Sequence, residues 1–180
     1  MRALAAALGA LALSACQFDP PTQGARDVSV PALTEQGNEP LRVGMSLAEA
    51  RQASGQSLNA PAIEEGVPRA CSQQPFRTTD GDQLWLMFEG DRLVRITAGD
   101  EAPRTRTLQN VGVGSTDAEV RTAYQGVIEE PAKYDPPPAH DLIVWAEANR
   151  SGLRFEVDAA GRVARVHAGG PEILYVEGCA

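Results

Sequence analysis

The chain repeats itself at a spacing of seventy residues, and this limits its possible folds more than any other feature. Val43-Gly44-Met45-Ser46-Leu47-Ala48-Glu49-Ala50-Arg51 returns as Val113-Gly114-Ser115-Thr116-Asp117-Ala118-Glu119-Val120-Arg121. In each copy a hydroxyl residue, Ser46 or Thr116, is followed three positions later by Glu49 or Glu119. That is the spacing of a capping box: the hydroxyl accepts from a first-turn N–H, and the carboxylate reaches back to the cap. Gly44 and Gly114 stand just outside, where the chain must turn into a helix. Behind the second cap, Val120, Ala123, Tyr124 and Val127 share one helical face. Behind the first, Ala50, Ala53 and Leu58 give a weaker stripe, and Gly55 and Gly126 offer C-terminal stops.

The repeat extends into a second phrase. Arg92-Leu93-Val94-Arg95-Ile96-Thr97-Ala98-Gly99 precedes Arg162-Val163-Ala164-Arg165-Val166-His167-Ala168-Gly169 by the same spacing. Both octets interleave apolar and polar residues, as strands do. Leu84–Phe88 with the turn Gly90-Asp91, and Leu153–Val157 with Ala160-Gly161, make each octet the second arm of a β-hairpin. Further strands are expected near Arg69–Gln73, Thr105–Leu108, Leu142–Ala146 and Ile173–Glu177. The pattern therefore predicts an α+β fold of two tandem repeats, 41–108 and 109–180. Each is a short helix followed by an antiparallel β-meander, with the helices packed on one face of the sheet.

One short helix per half can cover only one face of its sheet. In Leu84–Phe88 both alternating sets are apolar: Leu84, Leu86 and Phe88 on one side, Trp85 and Met87 on the other. The set away from the helix either faces outward, as partner surfaces do, or is buried between the two halves. Trp85, Met87, Arg95, Tyr134, Trp145 and Arg165 are the candidate partner-binding residues on this reading. Tyr134 belongs to Lys133-Tyr134-Asp135-Pro136-Pro137-Pro138-Ala139-His140, a loop whose three prolines hold an extended conformation at low entropic cost. It reads as a recognition tip or as a purely structural connection.

The N-terminus carries a different signal. Arg2 is followed by an unbroken Ala/Leu/Gly run over residues 3–13, too short to span a bilayer, which takes about 20 residues. It fits the apolar region of a signal peptide. The run ends in Leu13-Ser14-Ala15-Cys16, which resembles the lipobox of bacterial lipoproteins. The resemblance implies a signal peptide over 1–15, lipidation at Cys16, and anchoring of the chain to a membrane. Gln17 follows the cysteine where Asp would resemble an inner-membrane retention signal, so the expected place is the outer membrane, facing the periplasm. Residues 16–40 then form a lipidated tether without a periodic apolar face; about 24 flexible residues span roughly 27 Å. With Cys16 modified, Cys71 and Cys179 remain as a pair in an oxidising compartment. A disulfide between them is expected, with two buried thiols as the alternative.

The sequence has 16 Lys+Arg against 24 Asp+Glu, a net charge of −8, and loss of Arg2 with the signal peptide makes it −9. That balance argues against nucleic acid and against electrostatic docking on anionic lipid. No nucleophile has motif context, and no Gly-rich phosphate cradle or clustered Cys/His set is present, so neither enzyme activity, nor a metal, nor a cofactor is expected. His140-Asp141 is a pair on paper only, His167 is expected on the solvent face of its strand, and Asp80-Gly81-Asp82 reads as a turn.

A glycine, a capped helix and a small meander on a lipidated tether resemble the outer-membrane lipoproteins of the BamE (SmpA/OmlA) type. Two such units in tandem resemble the β-lactamase inhibitor protein fold. The resemblance runs over about residues 41–177 and rests on V-G-x-[ST]-x-x-E. Both families act by binding other proteins. It implies a non-enzymatic envelope lipoprotein whose partner is another envelope protein bound as an adaptor or assembly factor would bind it. The alternatives are an inhibitor of a periplasmic or secreted hydrolase, and a small-ligand or sugar binder using Trp85 or Trp145.

Overall fold

The computed structural model describes residues 31–61, 70–148 and 150–179. Cys16, the signal-peptide segment and most of the tether lie outside them. The elements in chain order are β1 (Gly37–Asn38), β2 (Leu41–Arg42), α1 (Leu47–Ser54), β3 (Cys71–Arg77), β4 (Gln83–Glu89) and β5 (Arg92–Ala98). There follow α2 (Asp117–Ala123), β6 (Ile128–Pro131), β7 (His140–Glu147), β8 (Ser151–Val157), β9 (Val163–Gly169) and a 3₁₀ turn, Pro171–Leu174.

The local signals act as their chemistry requires. Ser46 Oγ accepts from the Glu49 N–H and the Glu49 carboxylate accepts from the Ser46 N–H, and Thr116 and Glu119 do the same. Both starts dock alike on the hairpin that follows. Gly44 N–H donates to Leu93 O at 2.7 Å and Gly114 N–H to Val163 O at 2.8 Å. Arg92 and Arg162 each return an Nη1 donor, at 3.0 Å, to the glycine carbonyl. Gly44 and Gly114 have φ of 90° and 83°, a region in which a β-carbon is strained. α1 stops at Gly55 in the left-handed conformation, whereas α2 ends at Tyr124 in extended backbone, before Gly126.

The expected fold class is nevertheless corrected. The chain is mainly β: one seven-stranded antiparallel sheet, ordered β3-β4-β5-β9-β8-β7-β6, and a separate two-stranded sheet. It is not two repeats of helix plus meander. The two octets pair with each other at the centre, Arg95 opposite Gly169 and Thr97 opposite His167, so the sheet runs unbroken from β3 to β6. The flanks of that join differ, three strands on one side and four on the other, with β6 having no counterpart. Nor do the helices form a layer. α1 buries only Leu47 and Ala50, and α2 only Val120. Residues outside the seven-stranded sheet and the helices complete the cover over Leu84, Leu86, Phe88, Ile96 and Phe155, chiefly Leu41 of β2 and the loop residues Leu33, Leu58, Ala102 and Val111. Helices of seven and eight residues are too short to do it alone, since most helix stability comes from a buried face.

Other expectations change with this. Leu33, read as tether, is buried and bridges Thr107. The strand expected over Thr105–Leu108 reduces to isolated bridges, and the one over Ile173–Glu177 is replaced by the 3₁₀ turn. β6 was not anticipated. Both sheet edges carry proline, Pro75 in β3 and Pro131 in β6. An edge tolerates proline because its missing N–H faces no ladder partner, and it blunts pairing with another chain.

Candidate functional site

The side chains on the sheet face opposite the helices neither form an open apolar patch nor meet a second module. Cross-strand register brings Gln73, Met87, Arg95, Gly169, Gly152 and Trp145 onto one rung. The 3₁₀ turn lies over this rung. Gly152 and Gly169 face each other there, and a β-carbon on Gly152 would stand 2.6 Å from Val144 O and 3.3 Å from the Ile173 Cδ1 atom. Gly152 thus leaves room for Ile173 of the C-terminal segment, which is fully buried, while a β-carbon on Gly169 would meet Val94 O of β5 at 2.2 Å. Arg95 fastens the segment. Its Nη1 donates to Glu172 O at 3.1 Å and Tyr175 O at 2.7 Å, and its Nη2 to Gln73 Oε1 at 3.1 Å. Burial, reinforced by the Arg154 charge, lowers the Arg95 guanidinium to about 10, which leaves it charged at neutral pH. Cys71 and Cys179 are joined as a disulfide, with their Cα atoms 5.5 Å apart, and close the end of the segment against β3.

The next rungs carry a line of charge. Thr97, His167 and Arg154 are adjacent across β5, β9 and β8, and Arg165, Glu156 and Asp141 across β9, β8 and β7. His167 Nδ1 is 2.8 Å from Thr97 Oγ1, and Nε2 is 2.8 Å from Glu156 Oε1. The neutral imidazole with its proton on Nε2 satisfies both: it donates to the carboxylate and accepts from the hydroxyl. Burial lowers His167 to about 4, overriding the opposite pull of Glu156. Burial alone would raise Glu156. The bonds from His167 and Arg165 and the charge of Arg154 outweigh it and hold the carboxyl far below the usual range. Arg154 Nη2 also contacts Glu156 Oε1, while Arg154 Nε has no hydrogen-bond acceptor and stands 3.8 Å from Asp141 Oδ2. Burial pushes Asp141 up to about 6, with the Arg154 charge opposing.

Beyond this line, a cavity of about 140 Å³ opens between residues 132–135, the end of β8 and Val176. Arg154, Asp141 and Glu156 line it from the sheet, and Tyr134 and Arg165 belong to its wall. The Tyr134 hydroxyl donates to Glu177 Oε1, so the proline-rich loop and the C-terminal segment meet over the sheet. The far end of the loop is held separately. His140 Nδ1 is 2.8 Å from Pro138 O and Nε2 is 2.6 Å from Asp117 Oδ2. Partial burial opposes protonation of His140, but these two acceptors outweigh it and raise its pKa.

The six candidate residues therefore separate. Met87 and Arg95 are 1% and 3% exposed and are corrected: they present no surface to a partner. Trp85 and Trp145 are half-buried on this face. Tyr134 is 65% exposed and Arg165 also lies at the surface, and only these two are brought together, at the cavity. His167, expected on the solvent side, is 4% exposed. His140 pairs with Asp117 and not with its neighbour Asp141. Asp82 is a turn residue whose carboxylate takes bonds from the Arg104 N–H and Nε and from the Thr105 N–H and hydroxyl. Arg154, Glu156 and Asp141 were missed. The signal for Arg154 and Glu156 was in the alternation Leu153-Arg154-Phe155-Glu156-Val157, where two charges share one face of an otherwise apolar strand.

Thr97, His167 and Glu156 have the spacing of a hydroxyl–imidazole–carboxylate relay. Thr97 is 8% exposed, however, and neither it nor His167 lines the cavity, so the relay offers substrate no nucleophile as placed. Comparison with protein-family models, with characterised proteins and with solved structures finds no significant match.

Proposed function

We propose that this chain is a non-enzymatic envelope lipoprotein, anchored through lipid on Cys16, that binds another protein as an adaptor or assembly factor. The docking surface is the one formed where the proline-rich loop meets the C-terminal segment. One observation carries this reading. Four of the exposed large apolar side chains, Tyr134, Leu174, Tyr175 and Val176, belong to those two segments, which the Tyr134–Glu177 bond joins. Exposed apolar side chains concentrated in one place are characteristic of partner surfaces, and aromatic anchors dominate the energetics of such surfaces. The disulfide and the Arg95 bonds hold the segment in place before a partner arrives, which reduces the ordering cost of binding.

A photo-crosslinking residue at Tyr175, compared with one at Thr122 on α2, tests the surface in native envelopes with the lipid intact. A membrane protein captured from position 175 and not from 122 supports the adaptor reading. A soluble hydrolase captured there identifies an inhibitor instead, and equal capture at both positions refutes the surface. Cys16→Ala is expected to abolish labelling by fatty acid and release the chain from membranes, and retention there refutes lipid anchoring.

A further inference from the structure

The proline-rich loop is fastened at one of its ends by a bond that depends on a proton. Residues 133–138 are all exposed, and the three prolines have no N–H to donate. The Tyr134–Glu177 bond ties one part of the loop to the C-terminal segment, and the ring of His140 ties the other end to α2. His140 opens β7, where its backbone is fixed between Pro131 of β6 and Val157 of β8. From that fixed point Nδ1 meets the Pro138 carbonyl at 2.8 Å and Nε2 meets the Asp117 carboxylate at 2.6 Å. Both partners are oxygen acceptors. Asp117 is ionised, because its bonds from Arg121, helped by the His140 bond, hold it below the usual carboxylate range against partial burial. Only the imidazolium, with a proton on each nitrogen, satisfies both.

The neutral ring has one proton to place. A carboxylate is the stronger acceptor, so the proton stays on Nε2 and the Nδ1 lone pair is left facing the Pro138 oxygen. Two lone pairs at that distance repel, and the carbonyl moves away. Each proline fixes its own φ, and three in succession make residues 136–138 a stiff arm, so a displacement at Pro138 is passed along the loop toward Tyr134. The charged groups around the ring are Asp117 and Arg121 from α2, Glu129 from β6 and, adjoining it in β7, Asp141, while its β8 neighbour Val157 is apolar. Arg121 is engaged by Asp117 and Glu129 together. Partial burial opposes the charge on His140, but the Pro138 and Asp117 acceptors outweigh it and raise the pKa. The tie is therefore complete below about pH 6.5 and is lost as pH rises through the raised value.

We propose that His140 is a pH-sensitive clasp: protonated, it fixes the proline-rich loop that carries Tyr134, and neutral, it frees the loop, so that docking is favoured on the acid side. The control of docking rests on the reading of the preceding section, whereas the clasp itself does not. A fixed loop has less to lose in ordering when a partner binds. The full chain, labelled with ¹³C and ¹⁵N, is studied at about pH 5.5 and about pH 8.5, on either side of the ordinary histidine value. An imidazolium at the lower pH and a neutral Nε2–H ring at the higher are expected. Backbone order parameters over residues 132–139 are expected to fall between them from about 0.85 to below about 0.6. Asp141 titrates in the same window, since burial pushes it up to about 6. His140→Gln has no ring proton and leaves Asp141 in place, so its loop order is expected to be independent of pH. In native envelopes, capture from position 175 is expected to be about fivefold lower at the higher pH, as the loss of one hydrogen bond would make it, and independent of pH in His140→Gln. A ring that is neutral at the lower pH, equal loop order at both, or the same response in His140→Gln overturns the clasp. A freed loop with equal capture at both pH values overturns its control of docking and leaves the docking surface standing. No capture at either refutes that surface and its control together.

Discussion

Removing the Cys71–Cys179 bond by Cys71→Ser with Cys179→Ser is the sharpest probe of how the second sheet face is sealed. The bond closes a separation of 108 residues. In the chain-entropy relation, a loop of that length restricts the unfolded chain by about 16 cal/mol/K, or about 4.8 kcal/mol at 25 °C. With a urea dependence of about 2 kcal/mol/M for a domain of this size, the unfolding midpoint is expected to fall by about 2.4 M. A local signature accompanies the global one. Ile173 N–H donates to Gly170 O and Tyr175 N–H to Glu172 O, both in the segment that the bond holds against the sheet. Once that bond is cut, the Arg95 bonds, the Tyr134–Glu177 bond and the seating of Ile173 against Gly152 are left to keep that segment down, so those amides are expected to exchange faster than amides of β8 and β9. Denaturation followed by tryptophan fluorescence gives the midpoint, since Trp85 and Trp145 both lie on this face. Hydrogen exchange gives the release. A variant with an unchanged midpoint and unchanged exchange over 171–179 would refute the reasoning, because the segment would then be held by its packing alone.

The charged line predicts an unusual pH response. Between pH 6.5 and about 4 the unfolded chain takes a proton on His167 that the folded chain refuses, so that group costs stability as pH falls. Between about 6 and 3.8 the folded chain takes the proton on Asp141 first, so that group adds stability as pH falls. The two oppose each other, and Asp141→Asn is expected to expose the His167 effect as a steeper loss between pH 6 and 4.5, approaching about 1.4 kcal/mol per pH unit. Parallel stability curves for the two proteins would count against it. Ser46→Ala and Thr116→Ala are each expected to cost about 1 kcal/mol, as the loss of a capping hydroxyl does, and to add when combined, since they cap separate helices. Thermal unfolding measures both, and a much larger loss in the double variant rejects independence. Gly152→Ala is expected to push β7 away and to press on the C-terminal segment, because the added carbon meets Val144 O and Trp145 Cε3 at 2.6 and 2.8 Å and Ile173 Cδ1 at 3.3 Å. Overpacking of this kind costs about 1–3 kcal/mol, and wild-type stability with unchanged exchange at Ile173 argues against the fit.

What the residues alone determined is local. The two capping boxes and the two hairpins follow from contacts between residues a few positions apart, and Ser46, Thr116, Gly44, Gly114 and the octets at 92 and 162 carry them in plain order. The pairing of Cys71 with Cys179 followed from counting cysteines, and the bond is present. Tertiary structure decided everything that depends on residues meeting across the chain. Thr97 and His167 became neighbours because the octets pair with each other, which merges the strands into one sheet and removes the two-module arrangement. The alternation in Leu84–Phe88 said that both faces of the strand are apolar, and could not say that Pro171–Leu174 would fold back over one of them. Arg154 and Asp141 lie thirteen residues apart on two strands, and their meeting in one cavity depends on the β7–β8 register and on a loop and a tail arriving from elsewhere. Short-range hydrogen bonds are written in sequence spacing. Burial is not, because whether a side chain is covered depends on segments that its own neighbours do not specify.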